Sequence, residues 1–134
     1  MSRENVEVVR GFLEAFDNEE YAACLETIDP DVEWHPPPDI PNAAPARGRD
    51  ALIANFRDWL GAWDYYRTTP EEVLEGAGNT VLVFALESGR GKDSGIEVHS
   101  RRITQVYELR DGKVVWFKAY LDRGEALEAV GLRE

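Results

Sequence analysis

Apolar residues recur at Val6, Val9, Phe12, Leu13 and Phe16, with Glu7, Arg10 and Glu14 between them. This spacing of three and four lines one face of an amphipathic helix, which Ser2 can cap. A second, short helix is predicted from about Glu19, with Tyr21, Cys24, Leu25 and Ile28 on one side. Asp29 and Pro30 should stop it, because proline lacks the N–H that a helix needs. Val32 to His35 then reads as a brief strand. Five of the seven prolines (Pro36, Pro37, Pro38, Pro41 and Pro45) follow it closely, and their fixed φ predicts a stiff surface loop. Beyond Gly48, Asp50 is placed to cap a third helix, whose stripe comprises Leu52, Ile53, Phe56, Trp59, Leu60 and Trp63.

From Tyr65 the period changes to that of strands: Tyr65 to Ala77, Thr80 to Gly89, Ile96 to Leu109 and Val114 to Leu121. Asp111-Gly112 suits the two positive φ values of a tight hairpin turn. A short closing helix around Ala126, Leu127, Ala129 and Val130 should stop at Gly131. Helices first and a meander afterwards make this an α+β protein, a single domain over residues 1–134, with its N-terminal helices on one face of a mainly antiparallel sheet. The other face should then be polar, yet Leu82, Phe84 and Leu86 alternate with Val81, Val83 and Ala85, and Trp116 and Tyr120 alternate with Phe117, Ala119 and Leu121. Two apolar faces need two covers. A second copy of the chain, docked on the face bearing Trp116 and Tyr120, supplies one; the terminal helix and loops are the alternative.

Charge narrows the partners. Twenty-six acids against fifteen Lys and Arg give a formal net charge of −11, which repels phosphate backbones and anionic headgroups, so no nucleic acid and no membrane is expected. The one basic cluster, Arg90, Lys92, Arg101 and Arg102, is broken by Asp93 and Glu97. Cys24 has no partner for an internal disulfide, and its surroundings Ala22, Ala23 and Leu25 suit a small buried hydrophobe better than a nucleophile. The polar opening residues carry no export signal, so a cytoplasmic location is expected.

The order of helix, helix, Val32-Glu33-Trp34-His35, proline-rich loop and Ala46-Arg47-Gly48-Arg49-Asp50-Ala51 opening a helix resembles the SnoaL-like branch of the nuclear-transport-factor-2-like superfamily. So do Tyr107-Glu108-Leu109-Arg110-Asp111-Gly112-Lys113 and Ala119-Tyr120-Leu121-Asp122-Arg123. The resemblance implies a cone-shaped domain whose curved sheet encloses a pocket, with dimers formed through the sheet. It also implies a spread of activities, from isomerases and cyclases to epoxide hydrolases. Set against the ketosteroid isomerases, it puts His35 near the position of the base, Phe12 near the oxyanion-hole tyrosine and Gln105 near the protonated acid. Phe12 cannot donate a hydrogen bond. The arginine-and-aspartate signature of limonene-epoxide-hydrolase-like members is missing too, because Ile103 stands two residues after Arg101. Against the polyketide cyclases, Asp122 is the nearest carboxylate.

The residues themselves add one observation. Plain alternation puts Glu97, His99, Arg101, Ile103, Gln105 and Tyr107 on one face of the long strand. If that face lines the pocket, His99 can move a proton, Arg101 can hold a carboxylate or enolate, and Gln105 can orient a carbonyl. If the strand end is wet, Glu97 and Arg101 are an ordinary ion pair. Trp34, Trp59, Trp63 and Phe117 are candidate walls for a ring-shaped ligand, or core. Two histidines sixty-four residues apart show no metal-ligand spacing, so neither metal nor cofactor is expected. Two functions follow. One is a cofactor-free isomerase, cyclase or hydrolase acting on an apolar cyclic substrate by general acid/base catalysis through His35, His99 or Asp122. The other is a non-catalytic, dimeric carrier or accessory domain for a small ligand.

Overall fold

The computed structural model describes residues 2–36 and 44–131. The elements run α1 (Ser2–Asp17), α2 (Tyr21–Glu26), β1 (Ile28–His35), β2 (Ala46–Arg47), α3 (Arg49–Gly61), β3 (Trp63–Glu75), β4 (Thr80–Gly91), β5 (Glu97–Arg110), β6 (Lys113–Tyr120) and α4 (Arg123–Ala129). Most of the expected proline-rich loop, residues 37–43, lies outside the described residues.

One six-stranded sheet has the order β2-β1-β6-β5-β4-β3. All its pairs are antiparallel except β1 with β6. The β5–β6 hairpin turns through Asp111 and Gly112, both at positive φ, as the sequence pattern requires. Along α1, Val9, Phe12 and Leu13 are buried, and the helix packs across β3 and β4. With Trp34, Leu52, Tyr107 and Phe117 they form the main core between the helices and the inner face of the sheet.

Three boundaries and the cover of the outer face differ from expectation. Asp29 and Pro30 belong to β1, and α2 ends before them at Glu26. The pairing of β1 with β6 is irregular between Ile28 and Glu33, so the missing N–H of Pro30 falls where the ladder is already interrupted. Gly48, not Asp50, holds the N-cap of α3, and Asp50 sits inside the first turn. Trp63 begins β3 instead of ending α3. Finally, α4 lies on the outer face, where Ala126, Leu127 and Val130 bury Leu82, Phe84 and Val106, with Trp116 and Tyr120 at the margin. The chain's own terminal helix thus covers much of the surface for which a second copy was invoked.

Candidate functional site

Between α1, α3 and the inner face of the sheet lies a cavity of about 680 Å³. Its wall is mainly apolar and rich in aromatic rings, with Phe12, Phe16, Trp34, Phe56, Trp59, Tyr107 and Phe117 lining it. The rings pack on one another: Trp34 stacks on Phe117 at 3.9 Å and 20°, and meets Phe56 edge-on at 5.3 Å.

Polar groups interrupt this wall at a few positions. Glu87, the one buried charged residue among those described, continues the inward row Val81, Val83 and Ala85 on β4. Arg101 stands opposite it on β5 and donates from Nε to Oε1 at 2.6 Å. The Tyr66 hydroxyl donates to Oε2 at 2.6 Å and accepts from Thr68 Oγ1 at 3.2 Å. Glu87, Tyr66 and Thr68 line the cavity, whereas Arg101 holds the carboxylate from outside the lining. Burial, then the charge of Glu87 and its hydrogen bond, pushes the Tyr66 phenol well above its ordinary range. Gln105 and Tyr107 form a second polar pair, the phenol donating to Oε1 at 2.9 Å. Burial raises Tyr107 as well.

Of the residues singled out from sequence, Trp34, Trp59, Gln105 and Phe117 line the cavity, with Ala119 beside Phe117. Trp63 lies behind the wall, its ring 5.2 Å from Trp59 and 5.4 Å from Tyr66. The three candidate proton carriers lie outside the lining. His99 is displaced by a bulge: Ser100 has φ +51 and, with His99, faces the single Ser88, so the parity of β5 reverses beyond Arg101. His99 is 72% exposed and bonded to Glu97 at 2.9 Å. His35 follows Trp34, so alternation along β1 turns it to the other face, where it bonds Glu33 at 3.1 Å and lies against Trp116. Glu33 also pairs with Arg47, and these two hydrogen bonds, that of Arg47 foremost, lower its pKa. Asp122 caps α4, accepting from the Glu125 N–H at 3.2 Å.

Sequence reasoning passed over Tyr66, Thr68 and Glu87. The available signal was a carboxylate at the inward parity of an otherwise apolar strand, because such a group is buried only with partners.

A search of curated proteins gives no match. Among solved structures, a nuclear-transport-factor-2-like protein from Burkholderia thailandensis is 26% identical, covering 95% of this chain and 96% of its own, with a TM-score of 0.80. A candidate polyketide cyclase from Sinorhizobium meliloti is 23% identical over 84% of this chain and 93% of its own, at 0.68. A protein of ketosteroid-isomerase-like fold from Catenulispora acidiphila, in complex with trimethylamine, is 16% identical over 94% and 93%, at 0.73. The sequence profile of the SnoaL-like domain matches residues 9–117, and with the fold and the cavity this establishes that the chain belongs to the SnoaL-like domain family.

Proposed function

We propose that this chain binds a compact, mostly apolar cyclic compound in the cavity between α1, α3 and the sheet. The observation that carries this reading is the apolar, aromatic-rich wall around about 680 Å³ with a few polar side chains set in it, Glu87, Asp58, Asn55 and Gln105 among them, the composition of a small-molecule site. Rings match the flat faces of Trp34 and Phe117. The amide of Gln105, its carbonyl oxygen taken by Tyr107, offers its NH₂ to a ligand carbonyl. The candidate cyclase and the ketosteroid-isomerase-like protein support the reading at the level of fold.

Turnover is the second reading, favoured by Glu87, the buried one of the two carboxylates on the cavity wall. Glu87 takes the place of His35, His99 and Asp122 as the group within reach of a bound ring. In this scheme it accepts a proton from a carbon next to a ligand carbonyl while Gln105 steadies the oxygen, a cofactor-free general acid/base step. Titrating cyclic ketones while following the fluorescence of Trp34 and Trp59 tests binding. Deuterium exchange at the ligand's α-carbon tests turnover. Saturable quenching without exchange leaves the binding reading alone; absence of both removes both.

The chain also pairs with a second copy through the margin of the outer face. Half-buried Trp116 and Tyr120 beside α4, followed by exposed Leu121, support this arrangement.

A further inference from the structure

The ionisable groups on the cavity wall carry one sign. Asp58 and Glu87 line it, and no Lys, Arg or His does so among the described residues. Arg101 balances the charge of Glu87 from outside the lining, so what faces the cavity at that end is a carboxylate edge. Beside it the rings of Trp59 and Tyr66 meet edge to face at 5.4 Å and 82°. Aromatic faces attract cations, and Glu87, met twice by Arg101 at Oε1 and once by Tyr66 at Oε2, keeps an acceptor position on Oε2. An anionic ligand meets the carboxylate of Asp58, the Arg101-paired carboxylate of Glu87 and no cation on the wall among the described residues. The net charge of −11 acts in the same direction at longer range, concentrating cations and repelling anions.

We infer that the ligand carries a protonated amine, its ammonium group set against Glu87 and the faces of Trp59 and Tyr66 while its ring fills the apolar end beside Trp34 and Phe117. This rests on the small-molecule reading above and adds the sign of the ligand's charge. The ammonium donates to Glu87 without displacing Tyr66, so both oxygens stay bonded and the cost of taking the cation out of water is offset.

The test is a matched series on the unaltered full chain near neutral pH: 2-naphthylmethylamine, 2-naphthylmethanol and 2-naphthoate, each titrated by isothermal calorimetry. The amine should bind about tenfold or more tighter than the alcohol, with the carboxylate weakest. Glu87→Gln should shrink the preference for amine over alcohol severalfold. Equal or better binding of the alcohol or the carboxylate overturns this inference and leaves the cavity reading standing. No binding by any of the three overturns both. An undiminished amine preference in Glu87→Gln also overturns it; should that variant not fold, the ligand series alone decides.

Discussion

Tyr66 and Glu87 are joined diagonally across the β3–β4 ladder: Tyr66 is the register partner of Gly89 and Glu87 that of Thr68, yet the phenol donates to Glu87 Oε2 at 2.6 Å. Diagonal neighbours on one face come within reach when a side chain is long. Tyr66→Phe removes two hydrogen bonds, the one it donates to Glu87 and the one it accepts from Thr68, and should cost about 1–2 kcal/mol in urea denaturation. Glu87→Ala should cost more, about 1–3 kcal/mol, because it strips Arg101 of a partner; solvent at the arginine reduces the full cost of a broken buried pair. Equal losses in the two variants would show that the Arg101 contact adds nothing.

Alkaline pH should destabilise the fold. Burial holds the protons of Tyr66 and Tyr107 above the ordinary tyrosine range, so above about pH 10 the unfolded chain releases protons that the native chain keeps. The stability linked to these phenols is fully present below that point and declines as pH rises past it. Phenolate absorbance should show two tyrosines that ionise only on unfolding. Their titration together with the others at lower pH would contradict the buried hydroxyl network.

Cys24 should resist modification. It is fully buried, burial pushes its thiol up to about 11, and its Sγ lies 3.7 Å from the Phe12 carbonyl oxygen. Thiolate, not thiol, reacts with disulfide reagents. Labelling should be slow in buffer and complete within the mixing time in concentrated urea; fast native labelling would mean that α2 opens readily.

Gly89 leaves room for Trp63. A Cβ there would stand 2.7 Å from the indole Cε3 and 2.8 Å from the Tyr65 carbonyl oxygen. Gly89→Ala should cost about 1–3 kcal/mol by overpacking and shift tryptophan emission as the Trp59–Trp63–Tyr66 cluster moves. Unchanged stability and emission would show that β3 yields freely at this edge.

The proposed pairing of two chains is checked by light scattering at tens of micromolar. The unaltered chain should run as a dimer and Trp116→Glu as a monomer, because the new charge would lie in a desolvated interface. A monomeric unaltered chain would show that α4 completes the cover of the outer face unaided.

Periodicity was enough for the elements whose packing follows from local spacing: the α1 stripe, the four long strands and the Asp111-Gly112 turn. It failed where one residue changed the count. Ser100 adopts a left-handed conformation that no glycine announces, and the added residue carries His99 from the expected inner face to the outside. His35 was singled out by the resemblance and not by periodicity. Alternation was sound, but Trp34 and His35 cannot both point inward, and the stacking of Trp34 on Phe117 fixes which one does. The polar end of the cavity was legible only in part, since Glu87 needed its pairing with Arg101 and the approach of Tyr66, contacts set by the register of three strands. Nor does Trp63 reveal from its apolar spacing that the chain has already left α3.

The parallel pairing of β1 with β6 binds the first quarter of the chain to residues near its end: Trp34 is the partner of Phe117, and the Val114 N–H donates to the Thr27 carbonyl. During synthesis, β1 therefore emerges long before its neighbour exists. Until β6 follows, only the two-residue β2 can pair with it, and Trp34 has no Phe117 to stack on. Closing so long a stretch of chain is entropically slow. The Trp34–Phe117 part of the cavity wall therefore needs β6, and a nascent or truncated chain lacking residues beyond Arg110 would present β1 as an open edge, exposed to pairing with other chains.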